Sequence, residues 1–312
     1  MPLIGAPTSR AHIPAALEAN LRKGFVETYR LVSEKLRYRK LYTVMGSDQK
    51  IERFAVYAGY GTFESTTEGA APTYDSGQEA WTKALTANQF MLGAEVTMVA
   101  MEDDLHGIIH QTLRGQGQAL MEVARYTMER DAMDLFNSYL TSGTAYTAGG
   151  SNYSLLSTTH FRADGGTWSN KPAGSMDFSI EGLEYGITHW IANQKNQRGQ
   201  LLSDMPSTLL VGANDAMLAQ RVVKSMKFPG SADNDPNPAG DLINEIIVHP
   251  LLTNDGRWLL LAPKDVRRMP YIERIKPNVK RWADGENGNL RWVARYREDH
   301  GVVDPVGTWG SD

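Results

Sequence analysis

The 312-residue sequence contains no cysteine. That excludes disulfide staples, a thiolate nucleophile and cysteine-ligated metal, so stability has to come from packing or assembly, and a reducing compartment suits the chain. No run approaches the 18 or so apolar residues of a transmembrane helix. The first ten residues, MPLIGAPTSR, lack the charged region and apolar run of a secretory signal. A net charge of −4 gives no global attraction to nucleic acid. Enzymatic signatures are missing as well. Gly59-Tyr60-Gly61 does not continue into the Gly-Lys-Ser or Gly-Lys-Thr of a phosphate loop, and no serine sits in a Gly-x-Ser-x-Gly elbow. His106 and His110 fall on one side of a helix with Asp103 one turn earlier, but Gly107 stands where a zincin carries Glu, so structural histidines are expected instead of a metal site. Asp103 and Asp104 diverge by about 100° around a helix, which suits capping and not paired carboxylate catalysis. The seven tryptophans are scattered, as packing anchors are. No catalytic set, cofactor site or metal site emerges, and the chain is not expected to be an enzyme.

What is present is a long helical pattern over 104–140. Leu113, Leu120, Ala124, Met128, Ala132, Leu135 and Tyr139 form one apolar stripe. Glu122 with Arg125, Arg125 with Glu129, and Arg130 with Asp134 are spaced to pair on a solvated face. Gly143 is a natural stop, Gly115 and Gly117 are candidate kinks, and an unbroken rod would be about 55 Å long. Such a rod should lie along a flat molecule or reach a neighbour.

Before it, residues 1–13 read as an extended arm, and Pro14 starts a helix with Leu17, Leu21, Phe25, Tyr29, Val32 and Leu36 in register. Residues 51–100 read as one long hairpin: Phe54 to Phe63 forms one strand, Ala80 to Met98 the other, and STTEGAAPTYDSGQ the tip. Its apolar residues are too few to bury both faces within a subunit, and an isolated ribbon is marginal in water, so something outside should cover it. After the long helix, 143–177 reads as a connector without a core. Residues 178–272 read as an α/β module. Ser179 caps a helix carrying Leu183, Ile187 and Trp190 and ending near Gly199. Thr208 to Val211 is a strand, Asn214 or Asp215 caps a second helix, and Asp255-Gly256 joins Ile246–Val248 to Trp258–Leu261 as a hairpin. Two further strands, Tyr271 to Val279 and Leu290 to Tyr296, should return beside the long helix. Ten Lys or Arg against four acids over 264–297 suit a solvated sheet face or a subunit contact more than a DNA patch.

This order of parts resembles the major capsid proteins of tailed bacteriophages, which have the Hong Kong 97 type α+β fold. VTMVAMEDDLHG (96–107) resembles the junction of hairpin and spine helix in Mu-like major head subunits. LLVGANDAMLAQRVV (209–223) and IIVHPLLTNDGRWLLLAP (246–263) resemble the axial domain. The resemblance implies an N-terminal arm and helix at 1–50, an extended loop at 51–100 lying across an adjacent subunit, and a peripheral domain at 101–177 with its spine helix and connector. It further implies an axial domain at 178–272 and returning peripheral strands at 273–312. Glu64, Glu68, Pro72, Tyr74 and Asp75 at the hairpin tip would meet a neighbour, and Phe228, Pro229, Asp233, Asp235 and Pro236 would sit near the capsomer axis. The expected function is a head protein assembling into pentamers and hexamers of an icosahedral shell around double-stranded DNA, without sequence-specific contacts, cofactor or membrane. It would be built in the host cytoplasm and resident in the virion, with a portal, possible decoration protein and, since no long coiled-coil segment precedes the arm, a separate scaffolding protein. Lys83 lies on the hairpin, but no Asn and Glu partners for a covalent cross-link are identifiable. The alternatives are an encapsulin-type compartment shell of the same fold and a soluble hydrolase with its site between the 178–272 module and the long helix.

Overall fold

The computed structural model describes residues 22–29, 36–97, 99–100, 103, 108–225, 227, 237–253, 256–283 and 289–312. Its backbone element is the helix α3, Ile108–Asn137, which is 30 residues and therefore about 45 Å long. It runs unbroken through Gly115 and Gly117. Leu120, Ala124, Met128, Ala132 and Leu135 are buried as the stripe requires, joined by Met121, Met133 and Phe136. Three expectations for this helix change. Tyr139, beyond the last turn, is 38% exposed. Arg130 pairs with adjacent Asp131 at 2.9 Å. Glu129 is buried instead of solvated, because Arg37 and His249 supply hydrogen bonds that its spacing to Arg125 could not foretell. Asp104, His106 and the arm lie outside the described residues, as do Leu17, Leu21 and Val32 of the first helical stripe (the helix described is α1, 22–29); Phe25 and Leu36 are buried and Tyr29 packs against the same core.

Two four-stranded sheets flank the helix. The first is ordered β1-β12-β13-β4 from Thr43–Gly46, Pro270–Ala283, Leu290–His300 and Asn88–Val96. The returning strands do lie beside the long helix: Ala294 and Tyr296 of β13 share one core with Met128 and Ala132, and Tyr42, between the short helix α2 (Tyr38–Leu41) and β1, donates its hydroxyl to the Ala132 carbonyl at 2.6 Å. The second sheet is ordered β10-β9-β11-β14 from Glu245–Val248, Thr208–Val211, Trp258–Leu261 and Thr308–Ser311.

The continuous apolar runs of the second sheet have a physical reason: both faces are covered. Leu209, Val211, Trp258, Leu260 and Trp309 face the helices α4 (Ile180–Asn193) and α5 (Ala216–Lys224), while Leu210, Leu259, Leu261 and Ile247 face the core that holds α3. Ser179 accepts from the Gly182 amide at 2.9 Å, capping α4 as expected, although the helix stops at Asn193 and not near Gly199. Gly186 lets α4 approach the sheet, since a Cβ there would meet the Trp309 and Trp258 rings at 2.8 and 2.9 Å. Ile246–Val248 and Trp258–Leu261 do not form a hairpin. β9 lies between them, parallel to β10 and antiparallel to β11, a long-range pairing that overrides the turn chemistry of the intervening residues. Residues 301–304 still bond to Pro270 and Arg268 beside the first sheet, but the last strand, β14, pairs with β11, so 308–311 belongs with the second sheet.

The segment 143–177 is more than a connector. Two small ladders, Tyr146–Ala148 with Ser151–Tyr153 (β5, β6) and His160–Phe161 with Thr167–Trp168 (β7, β8), bury Tyr146, Leu155, Leu156 and Trp168. His160 is fully buried between the Tyr146 hydroxyl at 2.7 Å and Asn170 Oδ1 at 2.8 Å. Burial lowers its pKa to about 4, so the ring is neutral; Nε2–H donates to Asn170 and Nδ1 accepts from Tyr146. Stacked aromatics supply here the core that a count of aliphatics misses.

Candidate assembly surface

The hairpin is built by β2, Ile51–Tyr57, and β3, Glu79–Thr86, paired antiparallel with Val56 opposite Trp81 and an irregularity just beyond, at Tyr57. Its base shelters in its own subunit. Val56, Trp81 and Leu85 are buried, Trp81 donates Nε1–H to the Val303 carbonyl at 2.9 Å, and its ring stacks on Tyr146. Lys83 is half-buried and donates to the Ala145 carbonyl at 2.9 Å, and burial lowers its pKa. The second run is not one strand from 80 to 98. It breaks at the buried Ala87, after which β4 pairs with β13 in the first sheet, so only 51–86 is ribbon.

Beyond the base the chain is open. Every residue from 59 to 79 is exposed. Phe63 is fully exposed, and Tyr60 and Tyr74 are 68% and 90% exposed. A single exposed apolar residue is ordinary, but three aromatic rings held out on one loop are a poor arrangement for a lone subunit. The structure places Glu64, Glu68, Pro72, Tyr74 and Asp75 together on this loop, at different distances from the body. Asp75 is held within the chain: Oδ2 accepts from the Gly61 amide at 2.7 Å and Oδ1 pairs with Arg198 at 3.2 Å, which together keep its carboxyl below the usual range. Arg198 also donates to the Ser76 carbonyl at 3.0 Å, so it ties the neck of the tip to the turn after α4. Glu64 accepts from Thr73 at 3.1 Å and steadies the apex. Phe63 and Arg198 were absent from the residues expected at this surface. A lone Phe inside a polar loop is the signal for the first, and nothing local points to the second. Phe228, Pro229, Asp233, Asp235 and Pro236 lie outside the described residues.

Where the second sheet meets the long helix, Glu129 and His249 bond at 2.8 Å, Glu129 accepts from the Arg37 amide at 2.5 Å, and Arg37 donates to the Val248 carbonyl at 2.9 Å. A cleft of about 330 Å³ opens beside them. It is where a hydrolytic site was conceivable, yet no Ser, Thr or Cys lines it, and the Glu and His are spent on each other. Among the described residues, no three His, Cys, Asp or Glu side chains are grouped to hold a metal ion, and no helix is long and apolar enough to cross a membrane. Of the basic residues over 264–297, Arg291 is matched by Glu95 at 3.1 Å, whereas the segment's own Glu273 is taken by Arg39 from outside it at 2.6 Å.

The architecture is a long helix between two sheets with an outstretched, exposed ribbon. Residues 82–310 match the family model described as phage capsid protein. The chain belongs to that phage capsid protein family, and its fold is the Hong Kong 97 type of tailed-phage major capsid proteins. Solved structures agree at the level of fold. The chain is similar to one from Mycobacterium phage Patience (TM-score 0.55, 11% identity, covering 96% of this chain and 87% of that one). It is similar to the capsid of an empty GTA particle (0.54, 12%, 88% of each). It is also similar to a virus-like particle from Pyrococcus furiosus (0.51, 10%, 96% and 98%). No curated protein matches the sequence. As a member of the family the chain is a shell-forming component of the virion.

Proposed function

We propose that copies of this chain assemble into pentamers and hexamers of an icosahedral shell that encloses viral double-stranded DNA, formed in the host cytoplasm with a separate scaffolding protein, a portal and, where present, a decoration protein. The observation that carries the reading is the exposed tip, 59–79, with Phe63, Tyr60 and Tyr74 turned to solvent on a ribbon whose base is firmly anchored. A neighbouring copy covers those rings and gains apolar burial at each of many repeated contacts, so that modest interfaces sum to a closed container. In this reading the tip residues Glu64, Glu68, Pro72 and Tyr74 make the inter-subunit contact, Asp75 sets the loop's neck, and Phe228, Pro229, Asp233, Asp235 and Pro236 border the capsomer axis. By the same reading 1–50 is the arm with its helix, 51–86 the extended loop, 87–177 the peripheral domain, 178–272 the axial domain and 273–300 the peripheral return, with 308–311 joining the axial sheet. The test is a variant lacking residues 62–73, which keeps the Gly61–Asp75 neck. It is expected to stay soluble with wild-type thermal unfolding and to form no closed particles by negative-stain microscopy, whereas intact shells would overturn the reading. An encapsulin-type shell of the same fold is the second reading, since the exposed tip serves a closed shell of either kind. Nuclease-protected DNA in purified particles selects the virus, and protein cargo selects the compartment.

A further inference from the structure

Arg267 is the least satisfied cation among the described residues. It is 4% exposed; Nη2 donates to the Lys40 carbonyl at 3.1 Å, while Nε and Nη1 have no partner. Burial pulls its pKa down to about 10, and the charge of Glu245 opposes only part of that fall. An uncompensated buried guanidinium is costly in a finished protein, so its position next to an open cleft calls for an incoming acceptor. The cleft, of about 400 Å³, has Lys264, Arg267 and Arg268 against the single acid Asp265, with Met45 and Phe54 as apolar wall. It lies at the root of the hairpin. Lys264 is exposed and reaches the Arg39 carbonyl at 2.6 Å.

The chain contains the complementary object. Between Arg53 and Lys83 there is no basic residue, while Glu64, Glu68, Asp75 and Glu79 are all acidic. Of these, Asp75 is held by Arg198, Glu64 takes a bond from Thr73 and Glu79 one from Thr82, which leaves Glu68 at the turned apex, beside Gly69 with φ +84°. Phe63 on the same loop supplies the apolar half. None of residues 59–79 lines this cleft in their own subunit, and the neck of the loop is tied by Arg198 to a different turn.

We propose that the cleft beside Arg267 is the receptor for the hairpin tip of a second copy of this chain, with the Glu68 carboxylate neutralising the Lys264–Arg267 cations and Phe63 seated against Met45 and Phe54. Because the tip and the root are different surfaces of one molecule, the contact is heterologous and propagates head to tail, closing rings when the rotation allows. The inference rests on the shell reading above and names the partner surface within it.

The absence of native cysteine makes a clean test. A Glu68→Cys, Lys264→Cys double variant, assembled and then oxidised, is expected to give a ladder of disulfide-linked multimers on denaturing gels, with each single variant giving none. Lys264→Glu is expected to raise the protein concentration needed for assembly at least about tenfold, as loss of a charge pair and gain of a like-charge repulsion would, and Glu68→Lys added to it restores assembly. Arg267→Met, which removes the buried charge, is expected to weaken assembly likewise without lowering the thermal midpoint of the subunit. Wild-type shells alongside no ladder, or Lys264→Glu assembling at the wild-type concentration, overturn this contact alone. A wild-type chain that stays monomeric under the same conditions overturns the shell reading and the contact with it.

Discussion

Replacing Glu298 by Gln should make the subunit more stable in alkali and leave it unchanged in acid. Glu298 is on β13, 3% exposed, and its Oε1 has no hydrogen-bond partner. Burial raises its pKa to about 8, and Asp131, Glu273 and Asp299 push the same way, while the Tyr271 hydroxyl offsets only part. The folded chain therefore holds a proton on this carboxyl that the unfolded chain has already lost, so stability falls as pH rises through the window from the free value of 4.5 to about 8. The width of that window sets a ceiling of about 5 kcal/mol at ~1.4 kcal/mol per pH unit. Local relaxation and water entry reduce the effective cost of a buried ion, so about 2 kcal/mol is the expected difference. Urea unfolding of subunits held below the assembly concentration reads this directly. At about pH 9 the Gln variant should be about 2 kcal/mol more stable than wild type, with the two curves converging near pH 4.5. Asp304, also raised by burial, does not push on Glu298 and cancels in the difference, whereas Asp299, which does, is relieved in the Gln variant and adds to the gain. Parallel stability profiles across that range, or a variant less stable in alkali, would refute the reasoning.

His249→Ala leaves Glu129 buried without its ring partner and should cost about 2 kcal/mol in equilibrium unfolding, most of it recovered when Glu129→Gln is added. Gly186→Val drives branched carbons into the Trp258 and Trp309 rings and should destabilise by about 2 kcal/mol, with a matching change in tryptophan fluorescence; an unchanged midpoint would mean that α4 does not approach the sheet as closely as described.

Features with a local cause were legible in the chain. The period of the long helix, the cap at Ser179 and the doubly buried strands at 208–211 and 258–261 each follow from neighbours a few residues apart. Features set by distant pairing were not. Asp255-Gly256 carries hairpin chemistry, yet β9, which inserts between the two strands, begins at Thr208, 47 positions before Asp255. Ala87 looks like any strand residue, and only β13 at one side and β2 at the other make it a boundary. Glu129 fitted a solvated helix face because its real partners, Arg37 and His249, are 92 and 120 positions away. The tip divided in the same way: its openness follows from Gly, Ser, Thr and Pro content, whereas the Arg198 tie and the unmatched guanidinium of Arg267 depend on packing that no short window contains.

The boundary at Ala87 also has a mechanical meaning. Its amide donates to the Lys50 carbonyl on the ribbon side, its carbonyl accepts from Arg297 on the sheet side, and a single residue separates β3 from β4. A pull on the loop has no slack in which to dissipate. It is delivered as torque to β13 and from there to the long helix packed upon it, which makes the projecting ribbon a crank that pivots at Ala87.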